Sequence, residues 1–166
     1  DEKAETPEEV TAVWRKVKEA EQAGSAAPES ILDKVPHSLS ALDRAEKLQK
    51  RAAKVGFDWS DEAGILAKIE EELGELKEAM ASGRSEEIDA ELGDLLFAAS
   101  NLARFRGGRT SEELLRQTNR RFEGRFRFIE RELAREKIPL ESAGIERMEA
   151  LWCEAKRHER EERTEP

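Results

Sequence analysis

The chain has 166 residues, of which 40% are charged and 37% hydrophobic, and 38 acidic against 29 basic side chains leave a net charge of -9. That length suits one domain with tails, and the acidity speaks against stable nucleic-acid binding, which usually rests on a basic patch. A single cysteine, Cys153, excludes an internal disulfide and fits a reducing, cytoplasmic setting; no apolar run approaches the roughly 20 residues that span a bilayer, and the start does not read as a signal peptide.

Helix signals dominate in chain order, and no segment reads as a strand. Residues 6–22 place Val10, Val13, Trp14 and Val17 on one helical face, and the small residues up to Pro28 read as a linker. Residues 30–37 contain Pro36 and read as irregular. From about Ser38 the repeat of Ala41, Ala45, Leu48, Ala52 and Val55 predicts a helix that stops at Gly56. Phe57-Asp58-Trp59 reads as a turn, with Trp59 a packing residue, and Ser60 is the expected N-cap of the next helix. That helix carries Ile65, Ile69, Leu73, Leu76 and Met80 and ends near Gly83. Another is expected from about Ser85 to Arg106, with Ile88, Leu92, Leu95, Ala99 and Leu102 inward, ending at Gly107-Gly108. A long helix follows from about Ser111 to Glu136 through Leu115, Phe122, Phe126, Ile129 and Leu133. Pro139 breaks it, and a last helix is expected from about Ala143 to Glu162. Glu8–Glu21 and Glu146–Glu159 share Glu, Ala, Trp, Lys and Glu at the same offsets. Two amphipathic helices can share these by chance, or the first can be the tail of a preceding domain.

The chemistry gathers on two neighbouring helices. One carries Glu71-Glu72-Leu73-Gly74-Glu75 and the other Glu91-Leu92-Gly93-Asp94. Glu72 and Glu75, three apart, flank the stripe around Ile69 and Leu73, and Glu91 and Asp94 do the same beside Leu92 and Leu95. A short turn at Gly83 makes the helices antiparallel neighbours, so four carboxylates face one another. Carboxylates crowded together repel and resist leaving water ionised. A divalent cation relieves both effects, and oxygen-only ligands suit Mg²⁺, with Mn²⁺ the alternative. The bland alternative is the solvated face of two acidic helices. His37 and His158 are the only histidines and neither follows a Glu by three on these helices, which weakens a di-iron bundle reading. Glu87, Glu91, Asp94, Ala98 and Asn101 form a further stripe along one face.

These residues resemble the MazG family of nucleotide pyrophosphohydrolases, whose mark is EExxE, a spacer, then ExxD. The likeness extends over roughly residues 30–160, through Ser30–Pro36, Leu48-Gln49-Lys50, Val55–Trp59, Asn119-Arg120-Arg121-Phe122 with Arg125-Phe126, and Met148–Trp152. It implies an all-α, antiparallel, dimeric bundle that hydrolyses a nucleoside triphosphate to monophosphate and pyrophosphate with Mg²⁺, in the cytoplasm and away from membranes. Position by position it implies Glu72, Glu75, Glu91 and Asp94 as metal ligands, and Glu71 as a further catalytic acid. It also implies Lys68, Asn119, Arg121, Arg125 and Trp152 as substrate contacts. Arg121 stands where Lys is common in the family, and Glu87 where some members carry a basic nucleotide contact. The resemblance divides the chain into residues 1–29 as a helix and linker, 30–160 as the catalytic domain and 161–166 as a charged tail. The competing reading from another class is a silent nucleotide-binding helical module.

Overall fold

The computed structural model describes residues 30–164, with side chains through residue 161. Among these residues there are α-helices and no strands, as the apolar periodicity requires. The expected helix at residues 6–22, its linker and the final charged residues lie outside or at the edge of the described region.

Local chemistry sets the helix ends. Helix α1 spans Ala41–Ala53 and starts at Ser40, whose hydroxyl accepts from the Asp43 amide at 3.2 Å. It ends three residues before Gly56, which has a positive φ, and leaves Val55 exposed rather than in the stripe. Helix α2 spans Glu62–Ser82, and its N-cap is Asp61 rather than Ser60: the Asp61 carboxylate accepts from the Gly64 amide at 2.9 Å. Gly83, in the left-handed conformation at φ 72°, closes α2 by donating to the Ala79 and Met80 carbonyls. Helix α3 follows at once over Ser85–Arg106 and folds back along α2. Helix α4, Ser111–Glu136, opens with a capping box between Thr110 and Glu113. A short 3-10 turn, Leu140–Ser142, leads into α5, Gly144–Thr164.

The helices pair unequally. The α2–α3 hairpin is the most extensive contact, α4–α5 is the second, and α1 lies across α3. Ile129, Leu133 and Leu151 form a buried apolar cluster between α4 and α5, joined by Phe126, Met148 and Trp152. Polar ties join the α1 region to the start of α4: the Ser40 hydroxyl donates to Glu112 at 2.9 Å, and the Ser111 amide donates to Glu46.

The buried stripe of α2 differs from the expected one. Ile65, Glu72 and Ala79, seven residues apart, face inward, while Leu73 and Met80 are exposed. On α3, Ala98 and Ser100 are buried and Leu92 is exposed. The reason is excess: α2 carries apolar residues on two faces, and the neighbouring hairpin arm α3 covers only one of them. On α4 the expected Ile129 and Leu133 are buried, whereas Leu115 and Phe122 are exposed.

Candidate metal and nucleotide site

The inward stripe of α2 puts Glu72 where a hydrophobic residue would normally stand. Its side chain is 7% exposed and meets the Lys68 ammonium at 2.7 Å, one helical turn back. Lys68 also donates to Glu71 at 2.8 Å. Those two carboxylates, Glu71 first, raise the Lys68 pKa and keep it cationic. Glu71 itself points to solvent.

Across the hairpin, α3 supplies Glu91 and Asp94. Glu72, Glu91 and Asp94 each offer an oxygen, and the three oxygens lie within 4.8 Å of one another. Desolvation, followed by repulsion from Glu75, Glu72, Asp94 and Glu87, raises the pKa of Glu91. Glu75 is exposed and stands outside the group of three, yet close enough to push on Glu91. Three all-oxygen donors with mutual repulsion are a donor set that a hard divalent cation fits. The acidic cluster can therefore hold a metal ion.

This cluster opens on a cleft of about 680 Å³ between α1, the 56–59 turn, α2 and α3. Glu72, Asp94 and Lys68 stand on its wall, with Leu48, Ala52, Phe57, Trp59, Ile65 and Phe97 forming apolar surface. Gln49, Asp58, Asn101 and Arg104 complete the lining. Arg104 fastens the turn to α3 by donating through Nη1 and Nη2 to both Asp58 oxygens, and this pairing lowers the Asp58 pKa. Trp59 lies against the first turn of α2 because residue 64 is glycine: a Cβ there would come 2.7 Å from the indole Cε3.

The other candidate residues lie elsewhere in the chain. Asn119 is exposed on α4 and Arg121 donates to the Thr118 hydroxyl at 2.8 Å. Arg125 forks onto Glu159 of α5 and lies 5.2 Å from the Trp152 ring centroid. Phe122 packs against the same indole. None of these four residues lines the cleft.

Trp59, Gln49 and Arg104 were not legible as site residues. An aromatic after a turn reads as packing, and Gln49 entered only within a stretch that resembles the family, with no role of its own. Asn101 did carry one: it shares a face with Asp94 and Ala98, and all three line the cleft.

Residues 61–127 match the model of the MazG nucleotide pyrophosphohydrolase domain. The match covers α2, α3 and about the first two thirds of α4, and so includes the whole acidic cluster. Over 161 residues the chain is 41% identical to a protein of Escherichia coli K12 named nucleoside triphosphate pyrophosphohydrolase, covering 96% of this chain and 60% of that protein. A Thermotoga maritima protein named nucleoside triphosphate pyrophosphohydrolase/pyrophosphatase MazG is 37% identical over 143 residues, 86% of this chain and 54% of its own length. The YabN protein of Bacillus subtilis is 42% identical over 161 residues, 96% of this chain and 32% of YabN. The chain thus spans less than two thirds of each of these relatives. Among the described residues, no helix is long and apolar enough to cross a membrane.

Proposed function

We propose that this chain is a cytoplasmic, Mg²⁺-dependent hydrolase that cuts a nucleoside triphosphate into monophosphate and pyrophosphate, with residues 30–160 as its catalytic domain. The observation that carries the reading is the convergence of three carboxylate oxygens within 4.8 Å, two of them, from Glu72 and Asp94, on residues that line a cleft of about 680 Å³. Acidic ends suit a cation and its phosphates, and apolar walls of this size suit a base and sugar.

Glu72, Glu91 and Asp94 would hold the ion, with Glu75 beside them as a further ligand. Mg²⁺ held there supplies Lewis acidity toward phosphate oxygens and makes a coordinated water more acidic. The chain's own residues do the rest. Lys68, held cationic by Glu71 and Glu72, presents positive charge at the cleft wall toward a phosphate. Glu71, exposed and ion-paired with Lys68, is proposed as a further acid of the site, serving a second metal or the attacking water. Trp59, Phe57 and Phe97 exclude water from the base end. For Arg121, Arg125, Asn119 and Trp152 we propose phosphate and base contacts on the α4–α5 face, outside the cleft.

The chain is further proposed to act as a homodimer. Leu66, Leu73 and Met80 form one exposed line on α2, and Leu92 and Leu96 are exposed on α3. An apolar face of this kind, on helices already paired on their other side, is normally covered by a partner.

The test is phosphate release coupled to an added pyrophosphatase, across canonical and modified nucleoside triphosphates, with Mg²⁺ and with chelator. Mg²⁺-dependent pyrophosphate formation is expected. Nucleotide binding without turnover would identify a silent module, and light scattering decides the dimer.

A further inference from the structure

The turn between α1 and α2 carries Trp59 onto the cleft wall, where the residue stays 40% exposed. Most of the turn's hydrogen bonds are local. The Val55, Gly56 and Phe57 amides donate to Ala52 and Ala53 at the end of α1, and the Trp59 amide donates to the Asp58 carboxylate. Among the described residues, the turn's hydrogen-bonded tie to α3 is Arg104, whose Nη1 and Nη2 donate to the two Asp58 oxygens. Arg104 is itself held: its Nε donates at 2.8 Å to Asn101 Oδ1 one helical turn back, and its side chain is 11% exposed. A planar guanidinium engaged by all three nitrogens fixes the direction of Asp58 as well as its distance, and Asp58 precedes Trp59 in the chain. From the other side the indole rests on α2 at Gly64. A Cβ there would stand 2.7 Å from Cε3 and 3.3 Å from Cζ3, so any side chain would displace the ring.

We propose that Arg104 and Gly64 are positioning residues, which together hold Trp59 as a contact surface for the nucleoside part of the ligand. The two act by different physics, one through charged hydrogen bonds from α3 and the other through the lack of a side chain on α2. A half-exposed aromatic fixed from two sides loses little further freedom when a ligand covers it, so its apolar area goes directly into binding. An indole offers that area to a nucleoside and offers little to a triphosphate alone. Neither residue belongs to the group of Glu72, Glu91 and Asp94, and neither takes part in bond breaking. The inference rests on the nucleotide reading of the cleft.

The experiment compares the wild-type chain with Arg104→Gln and Gly64→Ala. Calorimetry in Mg²⁺ measures binding of the α,β-methylene analogues of adenosine and uridine triphosphate, with inorganic tripolyphosphate as the ligand without a nucleoside. Pyrophosphate release from the unmodified triphosphates gives KM and kcat. Both variants are expected to bind the analogues about tenfold more weakly and to raise KM by a similar factor. Their kcat should stay within about twofold of wild type, and tripolyphosphate should bind unchanged, which a general loosening of the fold would not allow. Gly64→Ala separates positioning from stability further. It keeps the amide that caps onto Asp61 and favours helix over glycine, so its melting temperature should not fall while its KM rises. Wild-type affinity for both analogues in either folded variant overturns the proposal, as does an equal loss of tripolyphosphate binding or a fall in kcat with KM unmoved. Should R104Q fail to fold, G64A decides. Analogue binding that the variants weaken, without pyrophosphate release by the wild type, would sink the hydrolase reading and keep this one. Release with variants that bind like the wild type would do the reverse.

Discussion

The two helix pairs of this chain spend their buried faces differently. Between α4 and α5, Ile129, Leu133 and Leu151 close an apolar cluster with no charge inside it. Between α1, α2 and α3, the buried set includes Glu72, Gln49 and Ser100 beside Ile65 and Ala98. Burying a carboxylate is costly unless it is paired or binds a cation. The α4–α5 pair is therefore organised to hold the fold, and the α2–α3 pair gives up apolar contact to hold chemistry. The cost is partly offset by Lys68, whose ammonium compensates Glu72.

That contrast can be broken by mutation. The largest effect is expected on α3, where Asp94→Asn should lower turnover by about a thousandfold, since it removes a proposed charged ligand. Its melting temperature should stay near wild type, because Asp94 is exposed. Activity within about threefold of wild type would remove Asp94 from the metal set.

Next comes the α4–α5 core. Leu133 is 1% exposed, and Leu133→Ala should cost about 3 kcal/mol of stability. Denaturant unfolding measures this. KM of the folded variant should not move; a large rise in KM would mean that α4–α5 shapes the site as well as the fold.

Trp152 is the residue on which the comparison is sharpest. It belongs to the α4–α5 cluster and is also a proposed base contact. Trp152→Ala should raise KM for a nucleoside triphosphate by about tenfold, with tripolyphosphate unaffected. A variant that melts lower yet keeps its KM would assign Trp152 to the core alone.

The smallest effect concerns Glu91, whose carboxyl is held above its ordinary pKa by desolvation and by its acidic neighbours. Its folded form retains the proton more strongly than the unfolded form, so stability falls as pH rises from about 4.5 through the raised value. At neutral pH Glu91 is then a repulsive charge in the metal-free protein. Glu91→Gln should raise the metal-free melting temperature by a few degrees and remove the gain that Mg²⁺ gives the wild type. A lower metal-free melting temperature, or an unchanged Mg²⁺ effect, would contradict this account.

Sequence alone determined the elements and the acidic motif. Repeats of three and four fixed α1 to α5 to within a few residues, and the glycines at 83 and 107 ended helices, because periodicity and capping are local properties. It placed Glu72, Glu91 and Asp94 on facing helices, because a two-residue turn leaves a hairpin little choice. Which face of α2 is buried was not local. Ile65, Glu72 and Ala79 compete with Leu66, Leu73 and Met80, and only the positions of α1 and α3 decide between two similar stripes. The cleft is likewise tertiary. Gln49, Trp59 and Asp94 come from separate segments, and nothing in any one of them says that the others stand across a shared cavity.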